Sequence, residues 1–148
     1  MEKNKLKPNV KYQTGEFNYF YETDDQGRIK NWHTDKLQLT KRENRLPHDG
    51  KTPDKLSGDD AGHLAGDRFG GSPKLDNLVS QARDINRKEY KKYENLWAKA
   101  LKDEKEVTVN VDVLYGTDSA RPTGFQVEYT VEGEYFEALI GNSNGGEE

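Results

Sequence analysis

Residues 59–97 read DDAGHLAGDRFGGSPKLDNLVSQARDINRKEYKKYENLW, and a change of pattern inside this stretch decides the fold. Its first half is rich in glycine, with Leu64, Phe69, Leu75, Leu78 and Val79 spread among small and polar residues. That pattern predicts an irregular segment pinned to a core. From near Asn86 the pattern turns helical: Tyr90, Tyr93, Trp97, Ala100 and Leu101 fall at i, i+3, i+7, i+10 and i+11, one apolar stripe. Asn86 and Glu89 stand three apart, the spacing of an N-cap with its capping box.

Outward from this stretch the period changes to two. Upstream, FNYFYET and RIKNWH flank the turn residues Asp24-Asp25-Gln26-Gly27, predicting a hairpin over about residues 16–33. A short strand, KLQLT, is expected at 36–40, followed by a long polar loop over 41–59 punctuated by Pro47, Gly50, Pro53 and Gly58. Long loops in small domains often carry function. Downstream, VTVNVDVLY at 107–115 alternates strictly, as do Phe125, Val127, Tyr129 and Val131. The Glu132-Gly133 turn then leads into GEYFEALI, completing an antiparallel meander with one apolar face. The expected fold class is α+β: an antiparallel sheet with one main amphipathic helix. Residues 1–15 read as a flexible lead-in, 16–141 as a single domain and 142–148 as a flexible tail. His33, His48 and His63 are equally spaced, but no similarity accompanies the spacing, so it is not a repeat.

Composition bounds the function. The 148 residues are 31% hydrophobic and 34% charged, with mean hydropathy -1.14, yet the aromatics sit in patterned segments rather than in a low-complexity tail. No apolar run approaches a membrane span, and MEKNKLKPNVKYQTG has no signal-peptide pattern, so a chain without membrane association is expected. Absence of cysteine excludes disulfides and thiolate metal sites, and three scattered histidines give no zinc spacing. A net charge of -4 provides no global attraction to nucleic acid, so a phosphate site must be a local patch. GxxxxGK[ST], GxSxG and GxGxxG are absent, which removes the usual NTPase, hydrolase and dinucleotide signatures.

What remains is His63, preceded by Asp60, Ala61 and Gly62. Glycine lets the backbone approach a ligand closely, and a nearby carboxylate can orient an imidazole. Taken alone, the same residues describe a surface-loop histidine among turn glycines. Read in order, however, the G-H-L with FGG after it, the D-N-L-V-x-Q, the I-N-R-x-E-Y and the E-N-x-W-A helix resemble the DNA/RNA non-specific endonuclease family of ββα-metal (His-Me finger) nucleases. The resemblance is closer to the branch found as C-terminal toxin domains of Gram-positive secreted polymorphic toxins, and it covers about residues 16–135.

That resemblance implies roles residue by residue. His63 matches the general base that takes a proton from the water attacking a backbone phosphorus, and Asn86 matches the single protein ligand to a divalent cation, Mg²⁺ or alternatively Mn²⁺. Asn77 matches a second asparagine near the site, and Glu94 a glutamate that holds water of the cation's hydration shell. Eight residues separate Asn86 from Glu94, about 12 Å of rise and about 80° of net rotation on a helix, too far for easy joint ligation. Asp60 is expected to orient the His63 loop. Considered singly, Asn86 is equally an N-cap, Asn77 a turn residue and Glu94 an exposed helix carboxylate. Many family members carry arginine where this chain has Ala61, so Arg68, Arg83 or Arg87 is expected to contact substrate phosphate instead. Arg83 and Arg87 belong to a basic stretch running from Arg83 to Lys105, whose bland alternative is a solvated helix face.

The implied activity is metal-dependent, largely sequence-non-specific hydrolysis of DNA, with RNA as a further substrate. Membership of the toxin branch implies a monomeric domain of a longer secreted protein, acting in a target-cell cytoplasm and neutralised by a cognate immunity protein. The competing reading is a non-catalytic nucleic-acid-binding or protein-interaction module on the same scaffold.

Overall fold

Val107, Val109, Val111 and Val113 are buried while the residues between them lie nearer solvent, so the strict alternation of this segment makes a strand with one face inside. In the computed structural model, which describes residues 6–116 and 118–143, it is one of eight strands among the described residues. In chain order these are β1 (Lys11–Thr14), β2 (Tyr19–Thr23), β3 (Ile29–Thr34), β4 (Asp59–His63), β5 (Leu78–Ala82), β6 (Val107–Leu114), β7 (Gly124–Val131) and β8 (Glu134–Gly141). The main helix, α1 (Tyr90–Lys102), lies between β5 and β6.

All six strands of the main sheet pair antiparallel in the order β1-β2-β3-β6-β7-β8, while β4 and β5 form a separate hairpin inserted between β3 and β6. Hairpin and helix together are a ββα unit laid on the sheet. The aromatic stripe of α1 faces that sheet: Tyr90 meets Phe125 edge-on at 5.6 Å between centroids, and Trp97 meets Tyr129 at 5.7 Å. Trp97 is 1% exposed, and truncating such a side chain costs about 3–5 kcal/mol. These contacts fix the helix, and through it the site.

Both hairpin meanders and the helix follow the sequence reading, but several segments differ. The Gly-rich stretch is not irregular throughout, since its two ends pair as β4 and β5, with Asp60 opposite Gln81 and His63 opposite Leu78. DDAGH has little alternation to reveal a strand; β5, buried along its whole length, imposes the pairing. Residues 36–40 form no strand, because they reach their neighbours through isolated backbone bonds, Leu37 N–H to Val107 and Thr40 N–H to Arg68.

Within the expected lead-in of residues 1–15, Lys11–Thr14 is paired with β2, and residues 1–5 lie outside the described residues. The expected tail of residues 142–148 begins with a residue tied into the domain. Asn142 is buried, accepts from Ala82 N–H and donates to the carbonyls of Ser80 and Pro122, whereas 144–148 lie outside the described residues.

The helix also starts earlier than the capping pattern suggests. Helical backbone begins at Arg83 and passes through a π turn at Ile85–Glu89 before α1. Asn86 therefore sits inside the helix rather than at its cap, and its side chain is released for another partner.

Candidate active site

That partner is Asp60. Asn86 Nδ2 donates to Asp60 Oδ2 at 2.9 Å, and Arg87 grips the same carboxylate through Nε at 2.9 Å and Nη2 at 3.0 Å. Burial opposes the charge on Asp60, but these donors outweigh it and hold the carboxyl below the usual range. With its nitrogen committed to a carboxylate, the Asn86 amide presents its oxygen as the remaining acceptor. Asp60, expected from the sequence to orient the His63 loop and sharing β4 with His63, thus also holds Asn86 and Arg87.

His63 closes β4 and is 6% exposed; its Nε2 is buried without a hydrogen-bond partner among the described residues. Buried ring nitrogens are normally paired, so an orphan one on a residue that lines the cleft makes His63 a candidate for function. Burial first, then the neighbouring His48 and Arg45, lower its pKa to about 4, although Asp67 pulls the other way. The ring is therefore neutral at physiological pH and able to accept a proton. Gly62 beside it is required by packing: the Gln81 side chain lies directly against the position a Cβ would occupy.

His63, Asn86, Glu94, Asp60, Arg68 and Arg87 all line one open cleft of about 1170 Å³. Glu94 lies against Gly66, where a Cβ would strike the carboxylate, and burial pushes its pKa up to about 7 against the pull of Arg68, Lys91 and Arg45. The basic helix contributes Lys91, Lys99 and Lys102 to the wall.

Asn77 is not among the cleft residues. It is fully buried, accepting from Tyr21 Oη at 2.6 Å and Ala65 N–H at 2.9 Å and donating to the carbonyls of Ala65 and Ser72. It ties the Gly-rich loop to β2, a supporting role that a catalytic assignment misses because the motif alone does not show which way the amide points. Arg83 is also outside the cleft lining, its backbone N–H bonded to Gly58. Arg68 is inside it but donates to Asn95 at 2.8 Å, and Arg87 is held by Asp60.

Sequence reasoning missed the contribution of the 41–58 loop. Arg42 is locked to Asp67 at 3.1 Å and to the Asn44 carbonyl at 2.9 Å. Leu46 N–H, Asp49 N–H and Thr52 also bond to the body of the domain, so the loop is an ordered strap. It carries Arg45 and His48 over the cleft. His48 packs edge-on against His63, with centroids 4.8 Å apart and planes at 61°. Arg45 makes no hydrogen bond or ion pair among the described residues, and its charge reaches both His63 and Glu94. The length of the loop was the only signal in the sequence; nothing in its polar composition singled out these two.

A ββα unit that brings a neutral histidine and an oriented asparagine into a cation-lined cleft defines a nuclease-like fold. The chain belongs to the DNA/RNA non-specific endonuclease family, whose family model matches residues 8–133. It is 43% identical over 139 residues to the type VII secretion system protein EssD of Staphylococcus aureus, strains USA300 and NCTC 8325. The match covers 88% of this chain and 22% of EssD, so the chain spans about a fifth of the length of these relatives.

Among solved structures the fold resembles NucA from Streptococcus agalactiae with magnesium bound, at TM-score 0.63 and 21% identity, covering 94% of this chain and 78% of that one. It also resembles the Sda1 nuclease with bound zinc, at TM-score 0.57 and 15% identity, covering 94% and 86%.

Proposed function

We propose that this domain is a metal-dependent, largely sequence-non-specific endonuclease that hydrolyses DNA phosphodiesters, with RNA as a second substrate. The observation that carries the reading is the pairing of an orphan, neutral His63 with an Asn86 whose amide is turned oxygen-outward by Asp60, both in the same cationic cleft.

In this reading His63 takes the proton from the attacking water, and its burial keeps the acceptor form populated at neutral pH. Arg45 binds a non-bridging phosphate oxygen, replacing the arginine that Ala61 does not supply. Arg68, Arg87, Lys91 and Lys99 position the flanking phosphates without reading base edges, which makes cleavage non-specific. Arg83 adds to the field behind Asp60.

The donor set fits a hard divalent cation. Asn86 would hold it through its oxygen, with Glu94 in its outer sphere, and no group of three carboxylate or imidazole side chains converges among the described residues. That suits Mg²⁺, which keeps much of its water shell, with Mn²⁺ as the substitute. When bound, such an ion would neutralise charge developing on the phosphorane oxygens and on the leaving 3′ oxygen.

We further infer that the domain is the toxin portion of a longer secreted antibacterial protein. Its 43% identity to a fifth of EssD, a type VII secretion system protein, supports this placement. A toxin of this kind acts as a monomer in the target-cell cytoplasm and requires an immunity protein in its producer. That partner is expected at the basic helix or across the cleft, so exchanging Lys88, Lys91 and Lys92 for Glu weakens its binding.

Incubation with supercoiled plasmid and with RNA, in Mg²⁺, Mn²⁺ or EDTA, tests the activity. Metal-dependent degradation is expected; intact substrate at high protein concentration in both metals would return the domain to the binding-module reading.

A further inference from the structure

The two edges of the main sheet, β1 and β8, are of different kinds. β1 at the far edge is four residues long, and its Tyr12 and Thr14 side chains are tied to Asp76. β8 is eight residues long, keeps regular register with β7 from end to end, and contains neither proline nor lysine. Such an edge presents a row of backbone groups that can template another strand, with Glu134 and Glu137 as the charges that restrict which strand it accepts. Along it Tyr135 is 54% exposed and Leu139 69%.

Charge decides what that strand must be. Phe125 and Tyr129 face α1, so the alternate residues of β7 and β8 form the outer face, away from the cleft. Glu128 and Glu137 are directly opposed there, and the Tyr135 hydroxyl lies 2.9 Å from a carboxylate oxygen of each. Asp112 and Glu22 continue the acidic face across the sheet, the latter already neutralised by Lys30 at 3.0 Å. A second copy of β8 would set carboxylate against carboxylate, which disfavours self-pairing.

We propose that the β8 edge is the docking site for an extended segment of a partner protein that carries Lys or Arg facing Glu137 and apolar residues facing Phe136 and Ala138. Such a segment joins the sheet by main-chain hydrogen bonds and is selected by alternate side chains. The inference does not depend on the nuclease reading.

The probe is a ten-residue peptide alternating Val and Lys, compared with its Val/Glu counterpart and with a version carrying two central prolines at unchanged charge. Binding is followed by anisotropy, and the contact is located by amide exchange in the full chain. The Val/Lys peptide is expected to bind and slow exchange at alternate β8 amides, with at least a tenfold loss for Glu137→Lys while plasmid cleavage by that variant is unchanged. Equal binding of the proline peptide would mean adsorption by charge alone and overturn the proposal. Protection confined to the cleft, or concentration-dependent protection of β8 in the free chain, would overturn it as well.

Discussion

Asp60 and Asn86 are joined by a 2.9 Å hydrogen bond that runs from the Asn86 amide nitrogen to the Asp60 carboxylate, across the gap between β4 and the π turn. The bond can run only one way, since a carboxylate accepts, so it determines which end of Asn86 is left for a cation. Removing the carboxylate in Asp60→Ala is expected to weaken Mg²⁺ binding by about 10–100-fold, the usual loss when a ligand's supporting partner is removed. Asp60→Asn, which keeps an acceptor, should lose less. Titrating activity against Mg²⁺ concentration checks both, and an unchanged half-saturating concentration in Asp60→Ala would remove this role.

His63, proposed as the base, is expected to set the acidic limb of the rate. Its folded pKa, lowered to about 4 by burial, His48 and Arg45, means that the proton-accepting form persists down to that pH. The limb of kcat/KM assigned to His63 should therefore fall near pH 4 rather than near the ordinary histidine value of about 6.5. His48→Ala both uncovers the ring and removes the neighbouring imidazole that opposes its protonation, so the limb should move to higher pH. A pH–rate profile of the two proteins decides the point.

Arg45 is expected to act on substrate affinity. Arg45→Ala should raise KM and reduce the slope of log K against log salt by about 0.9, the value of one phosphate contact on duplex DNA. Arg42→Ala, which cuts the strap from Asp67, should instead lower thermal stability. Salt titrations of DNA binding separate the two.

Much of this architecture was legible because period is a direct readout of burial. Val107 to Val113 could only be a strand with one face inside, and the Tyr90–Leu101 stripe only a helix. β4 was not legible: Asp59, Asp60, Ala61 and Gly62 have no strand preference of their own and are paired by β5. The candidate residues His63, Asn86 and Glu94 were reached through ordered motifs, Arg68 and Arg87 as replacements for the arginine absent at Ala61, and all five line one cleft. Asn77 shows the limit of that route, for a buried amide bracing a loop and a cleft amide share the same motif. Arg45 and His48 were invisible because a polar loop has no periodicity to betray which side chains turn inward.

Asp59 gives the fold an acid-sensitive anchor. Its carboxylate, 7% exposed as a residue, takes two bonds from Arg121 at 2.7 and 2.8 Å. Burial opposes its charge, yet Arg121 and Leu56 N–H lower its pKa overall. Because the folded pKa lies below the unfolded one, the stabilisation is fully present above the ordinary carboxylate value and is lost as pH falls through the folded pKa. Asp59→Asn, which leaves Arg121 without its buried anion, should cost about 3–5 kcal/mol at pH 7. The difference from the parent should shrink in acid, as measured by urea unfolding across pH.

The central claim, that His63 is the base, is tested most directly by His63→Ala with added imidazole. Plasmid cleavage at saturating Mg²⁺ should fall by about 10²–10⁴-fold, DNA affinity should stay unchanged, and free imidazole should restore part of the rate. Cleavage by His63→Ala at the parent rate would contradict the account.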